Sequence, residues 1–313
     1  MKLLIYHRRA EEYGRHVAAR CPGLEIIAGH DDATLARGLD EAEVIMASKF
    51  PVETLAQARR LRWIQLTSAG AEHLVPVRDA LRGVIVTNAS GVHAALAADY
   101  VFGVLVMLQW DFPQLLRRQQ AREWGFQFTP PLAGKTLGIV GLGSIGQEIA
   151  RRGIAFGMEV LGLRRHPGPV DGVARVLGPP ELPELLRASD ALVLSVPGTA
   201  ETIGMIGERE LGLMRPGAFL INIGRGAVVD EAALIRALGE RRIAGAALDV
   251  FAEEPLPATS PLWGFPNVIV TPHIAGEPAG YAERVVSQVF ADNLARFRGG
   301  QPLQNVVDLA RGY

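Results

Sequence analysis

Three stretches of the chain end an apolar run on a group able to do chemistry. They are INIGRGAVVD at 221–230, ALDVFAEEPLP at 247–257 and PNVIVTPHIAG at 266–276. Each apolar run has the length and composition of a buried strand. In open parallel sheets, ligands bind beyond the carboxyl ends of strands, so Arg225, Glu254 and His273 are expected to converge on one crevice. Their chemistries are complementary. An arginine grips a carboxylate with two parallel hydrogen bonds and polarises a neighbouring carbonyl. A histidine gives or takes a proton near neutral pH, and a carboxylate beside an imidazole orients the ring and favours its protonated form. Anchor, acid/base and orienter together suit the reduction of a 2-keto acid. Singly, Arg225 could be a loop arginine, Glu254 a solvated acid and His273 a packed loop residue.

Upstream, LGIVGLGSIGQEIA sets Gly141, Gly143 and Gly146 in a G-x-G-x-x-G pattern between an apolar strand and an amphipathic helix. That context turns a weak pattern into a dinucleotide-binding expectation. Gly141 allows the tight turn, Gly143 lets the backbone approach a pyrophosphate, and Gly146 lets helix and strand pack closely. The helix then opens at Ser144 and Ile145 with amides that suit phosphate. Seventeen residues separate Gly146 from Arg164, at the tip of the next strand, where Arg165 follows. An acid there would bind the ribose 2′-OH of NAD, whereas an arginine suits the 2′-phosphate of NADP. NADP is therefore the expected cofactor, with NAD still possible and Arg165 a secondary contact; the alternative is a solvated surface pair.

Composition narrows the remaining choices. The chain has 313 residues, enough for two domains, and a formal net charge of −1, which provides no overall field for nucleic acid or an anionic membrane. One cysteine, Cys21, excludes an intrachain disulfide and fits a reducing, cytoplasmic compartment. The longest apolar stretch, 100–108, is well short of the roughly 20 residues a membrane span needs. The histidines outside the candidate site (His7, His16, His30, His73, His93 and His166) show no metal-ligand spacing. Neither a Walker-A loop nor a G-x-S-x-G elbow occurs.

The elements that must position these residues follow from the alternation of strands and helices, which implies parallel sheets covered by helices. Before residue 95, strands are expected at KLLIYH, EIIAGH, EVIMAS, RWIQLT and GVIVTN, with helices at 53–60 and 72–81. A long helical pattern fills 93–122 and breaks near Pro113. Six further strands are expected at 137–141, 159–163, 191–196, 218–223, 245–250 and 268–271. Helices are expected at 144–156, 181–188, 208–214 and 230–241, with a last one at about 280–298. The fold class is α/β with two doubly wound parallel-sheet domains. A Rossmann-type dinucleotide domain occupies 98–280, and a smaller flavodoxin-like substrate domain is assembled from 1–97 and 281–313.

Taken in order, GKTLGIVGLGSIGQEIARR, NIGRGAVVDEAAL, ALDVFAEEPLP with PLW, and PNVIVTPHIAG resemble the D-isomer-specific 2-hydroxyacid dehydrogenase family over nearly the whole chain. The resemblance implies that Arg225 binds the substrate carboxylate and keto oxygen, that His273 is the general acid/base and that Glu254 is its partner. It also implies that Asp249 lies near the nicotinamide, that Ser195, Val196 and Pro197 pass beneath the adenosine, and that Ile223 and Gly276 join the cofactor site. TSAGAEHL resembles the family's carboxylate-binding loop, which assigns backbone N–H groups of Ser68, Ala69 and Gly70 to the substrate. Family members are usually homodimers, and 96–126 resembles the dimerisation segment. Trp110, Trp124 and Phe126 are read as interface or pocket aromatics, with ordinary buried packing as the alternative. At Arg164 the chain departs from NAD-using members and resembles NADP-preferring glyoxylate/hydroxypyruvate reductases. Phosphite or a bulkier keto acid is an alternative substrate. A dinucleotide-sensing corepressor is an alternative role, weakened by a chain that ends soon after its last helix.

Overall fold

The computed structural model describes residues 1–276 and 279–310. The chain divides into two compact units, one formed by Met1–His93 with Pro278–Tyr313 and the other by Ala94–Glu277.

The first unit is built on five parallel strands: β1 (Lys2–Tyr6), β2 (Glu25–Gly29), β3 (Val44–Ala47), β4 (Trp63–Leu66) and β5 (Ile85–Thr87). Their order is β2-β1-β3-β4-β5, the flavodoxin-like arrangement. The central strands are short apolar runs because both of their faces are covered: every residue of VIMA in β3 and WIQL in β4 is buried. Helices α1 (Ala10–Arg20) and α2 (Asp32–Gly38) supply part of that cover. The helices expected at 53–60 and 72–81 are instead 3₁₀ segments, Val52–Gln57 and Glu72–Val77. Only Leu55 is buried in the first, and in the second Pro76 lacks the N–H that an α-helix would donate to Glu72.

The second unit starts with α3 (Ala94–Gln109) and α4 (Phe112–Ala121). The break falls at 110–111, ahead of Pro113: Asp111 takes a left-handed conformation and caps α4, and Pro113 sits in the first turn, where no N–H is needed. Among the described residues no single helix is long and apolar enough to cross a membrane. Seven parallel strands follow: β6 (Thr136–Val140), β7 (Glu159–Leu163), β8 (Arg175–Leu177), β9 (Ala191–Leu194), β10 (Phe219–Asn222), β11 (Gly245–Leu248) and β12 (Val268–Val270). Their order is β12-β11-β10-β9-β6-β7-β8, the doubly wound order with one added strand, and it reverses between β6 and β9. β8 was not expected; three residues at a sheet edge are too few to show a period. Helices α5 (Ser144–Ala155), α6 (Leu182–Ala188), α7 (Glu208–Leu213) and α8 (Glu231–Gly239) pack on this sheet. In α5, Gly146, Ile149, Ala150 and Gly153 are buried at helical spacing, and Phe156 just beyond it stacks on Phe102 of α3 at 4.7 Å.

The C-terminal helical segment runs as α9 (Tyr281–Val285), a π turn (Val286–Phe290) and α10 (Ala291–Arg298). It completes the first unit's core, with Phe290 stacked on the fully buried Trp63 at 5.2 Å. Burying an aromatic of this size contributes about 1.5–3 kcal/mol.

Candidate active site

The glycine turn stands where the strand order of the second unit reverses. Gly141 follows β6 with φ 101°, and its N–H bonds the carbonyl of Leu163 at 2.8 Å. A β-carbon on Gly146 would stand 1.9 Å from the Gly141 carbonyl oxygen, so only glycine lets α5 start this close to the strand. Ser195, just after β9, locks the other side of the turn: its hydroxyl donates to the Gly141 carbonyl at 2.8 Å. Val196 and Pro197 continue that loop, and a Gly141 β-carbon would press on Val196.

Two observations bear on whether a dinucleotide fits here. Nothing lies within 4 Å of the place a β-carbon on Gly143 would occupy, which leaves room over the helix start for a pyrophosphate. Arg164, half-buried beyond β7, gives one guanidinium nitrogen to the Gly168 carbonyl at 3.0 Å. Its Nε is buried without a hydrogen-bond partner, a donor left over for an anion. Arg165 differs, because its guanidinium pairs with the carboxylate of Glu201.

Arg225, Glu254 and His273 follow β10, β11 and β12, three adjacent strands of the same sheet. Arg225 sits on a loop held from below by Asn222, the last residue of β10. The Asn222 side chain accepts from the Gly224 N–H at 3.1 Å and donates to the Arg225 carbonyl at 3.1 Å. A β-carbon at Gly226 would lie 1.9 Å from the backbone of Phe251, so the Arg225 loop packs directly on the chain leading to Glu254. The Arg225 guanidinium contacts the Gly224 carbonyl at 2.8 Å, and Ile223 lies between Asn222 and that glycine.

The central contact of the site is between His273 Nδ1 and Glu254 Oε2, at 2.8 Å. The other Glu254 oxygen accepts the Phe251 N–H at 3.1 Å, which fixes the carboxylate. With Nδ1 engaged, Nε2 is the nitrogen available for exchanging a proton with a ligand. Both side chains remain partly exposed, 49% for His273 and 37% for Glu254, as a site that meets solvent-borne substrate requires.

His273 adopts φ 55°, a left-handed conformation uncommon for a residue with a β-carbon. Asp249, 1% exposed after β11, holds it there. Its carboxylate accepts from Thr271 Oγ1 at 2.6 Å and from the N–H groups of Ile274 and Ala275 at 2.9 and 2.8 Å, while its carbonyl accepts the His273 N–H at 2.9 Å. Gly276 ends this loop. Asn222 and Thr271 were missed in the sequence reading; the only trace of them is an amide ending a strand in N-I-G-R-G and a hydroxyl two residues before the histidine. Ser68, Ala69 and Gly70 lie in the first unit, after β4, where the Ser68 hydroxyl donates to the Gly70 carbonyl at 3.0 Å.

The alternative of ordinary buried packing for the aromatics of 110–126 is overturned within the second unit: Trp110 is 50% exposed, Phe126 78% and Trp124 fully. The segment from Glu123 to Pro131 forms no regular structure that could fold these rings inward.

Residues 102–275 match the family described as "D-isomer specific 2-hydroxyacid dehydrogenase, NAD binding domain". The chain belongs to this family of oxidoreductases. It is 38% identical to a glyoxylate reductase of Thermococcus gammatolerans over 85% of this chain and 81% of that one. A D-isomer specific 2-hydroxyacid dehydrogenase of Xanthobacter autotrophicus Py2, solved with NADPH and MES, superposes with a TM-score of 0.89 at 32% identity, covering 100% and 99% of the two chains. The NADPH-dependent glyoxylate/hydroxypyruvate reductase of Sinorhizobium meliloti, solved with NADP and sulfate, gives 0.90 at 28% identity with the same coverage.

Proposed function

We propose that the protein reduces a small 2-keto acid of the glyoxylate or hydroxypyruvate type to the D-2-hydroxy acid, with NADPH preferred over NADH. The observation that carries this reading is the 2.8 Å His273–Glu254 contact, beyond the same sheet whose β6 turn suits a pyrophosphate. Relatives described as glyoxylate or glyoxylate/hydroxypyruvate reductases support the substrate class, and related structures solved with NADPH or NADP support the cofactor.

The cofactor, when bound, supplies a hydride for the keto carbon. Gly141, Gly143, Ser144, Ile145 and Gly146 would hold its pyrophosphate, Arg164 the 2′-phosphate, and Ser195, Val196, Pro197, Ile223 and Gly276 its flanks. Arg225 holds the substrate carboxylate and draws electron density toward the carbonyl oxygen. His273 delivers the proton from Nε2 to that oxygen and then recovers one from solvent, while Glu254 keeps the ring turned. Ser68, Ala69 and Gly70 would offer backbone N–H groups to a carboxylate. Asp249 keeps His273 in its left-handed conformation and would lie near the nicotinamide. A cytoplasmic setting accords with the single, buried, unpaired Cys21. The exposed aromatics of the α4 region suit a homodimer.

The test is a spectrophotometric screen of several 2-keto acids with NADPH and NADH, run beside His273→Asn. Asparagine tolerates the left-handed conformation, so the backbone is kept while the proton donor is lost. Glyoxylate or hydroxypyruvate reduction is expected in the wild type, with kcat lowered by ~10²–10⁴-fold in the variant. Undiminished turnover in His273→Asn would refute the mechanism.

A further inference from the structure

The His273 loop is restrained from one more direction, by a residue far away in sequence. The hydroxyl of Tyr100, on α3, lies 2.8 Å from Thr271 Oγ1. Thr271 already spends its hydroxyl proton on Asp249 Oδ1 at 2.6 Å, so toward Tyr100 its oxygen acts as acceptor and the tyrosine donates. The bonds therefore converge on one carboxylate: Tyr100 O–H donates to Thr271, Thr271 O–H donates to Asp249, and the N–H groups of Ile274 and Ala275 donate to the same Asp249 carboxylate. Donation from Tyr100 polarises the Thr271 hydroxyl and makes it the stronger donor to Asp249. Burial pushes the Tyr100 hydroxyl up to about 12, so it remains a donor throughout the working pH range.

The carboxylate on which these bonds meet holds a strained segment. Pro272, His273 and Ile274 are exposed, and their restraint comes from Asp249, Thr271 and the Glu254 contact. A left-handed residue with a β-carbon costs on the order of 1–2 kcal/mol and persists only where its surroundings hold it.

We propose that Tyr100 is a positioning residue for His273, acting through Thr271 and Asp249 to hold the loop that presents the imidazole. This rests on the reading of His273 as proton donor. It assigns the tyrosine hydroxyl a part in turnover: a phenylalanine would fill the same space on α3 but would take away the donor to Thr271 and so weaken the Thr271–Asp249 bond. The consequence belongs to kcat, because Tyr100 and Thr271 act on the angle of the ring through the loop that carries it.

The experiment compares Tyr100→Phe, Thr271→Val and Thr271→Ser with the wild type, using glyoxylate and NADPH. It measures kcat, KM for glyoxylate, the Kd of NADPH by fluorescence, and Tm, with His273→Asn in the same assay. Expected are a fall in kcat of about 3–10-fold in Tyr100→Phe and ~10–100-fold in Thr271→Val, with NADPH affinity within about 2-fold of wild type. Thr271→Ser keeps the hydroxyl and is expected to restore most of the rate. Unchanged kcat in Tyr100→Phe overturns the proposal whatever Thr271→Val does, as does an effect confined to NADPH affinity. Loss of folding in both overturns it too, since the contact would then serve the fold alone. If His273→Asn reduces glyoxylate normally, the proton-donor reading has failed and this proposal with it. If His273→Asn is inactive while the other variants match the wild type, the positioning role alone is refuted.

Discussion

At the scale of single residues, this chain concentrates its chemistry on positions just beyond strand ends. Arg225, Glu254 and His273 could be picked out of the sequence because each follows an apolar run, and the glycine spacing marked the turn. Thr271 and Tyr100 could not, because their value depends on neighbours supplied by another strand or by a helix more than a hundred residues away, and Asn222 could not because an amide ending a strand does not announce the loop it braces. Arg164 and Arg165 look alike in sequence, and the fold separates them: one keeps a buried donor unused, the other is paired with Glu201. Arg164→Asp is accordingly expected to lower kcat/KM for NADPH by ~10–100-fold with little loss for NADH, since a charge-assisted phosphate contact is replaced by repulsion. Equal use of both cofactors by the wild type would remove the basis for this assignment.

At the scale of elements, strand positions were legible to within a residue or two, because buried parallel strands are short runs of Val, Ile and Leu. The 3₁₀ segments, β8 and the π turn escaped, being too short to display a period. One side chain stitches several of these elements together. Asp190, just before β9, accepts the Thr136 N–H of β6 at 2.8 Å and the Arg215 guanidinium at 2.8 Å. Burial pushes its carboxyl up, but the Thr136 amide and the Arg215 charge outweigh burial and hold it below the usual carboxylate range. A carboxyl lowered in the folded state adds stability above its unfolded value of about 3.9, and that stability is lost as pH falls through the lower folded value. Asp190→Asn is thus expected to reduce Tm by ~2–8 °C at neutral pH, with the gap closing below about pH 4. Melting curves of the two proteins across that range test it; a gap independent of pH would mean that the charge is not what matters.

At the scale of the whole molecule, the two sheet orders follow the flavodoxin-like and doubly wound patterns expected from the alternation of elements. The destination of the aromatics after α4 could not be foreseen from composition, which does not distinguish a core ring from an interface ring. Trp124, Phe126 and Phe128 are 101%, 78% and 90% exposed, more apolar surface than one short segment ordinarily leaves in water. Light scattering is expected to find a dimer for the wild type and a monomer when all three are replaced by serine. A monomeric wild type would dissociate this segment from assembly.

The stacking of Phe290 on Trp63 also sets a timetable for synthesis. The ribosome releases β1 to β5 ahead of the second unit, yet the helical segment that closes over them is made only after it. At about 5–20 residues per second, the whole second unit emerges in the interval, which lasts roughly ten seconds or more. Throughout that time Trp63 lacks its stacking partner, so the half-built first unit presents apolar surface to chaperones, while the second unit already has all of its strands. The strands made ahead of the second unit complete their own core only after it has emerged.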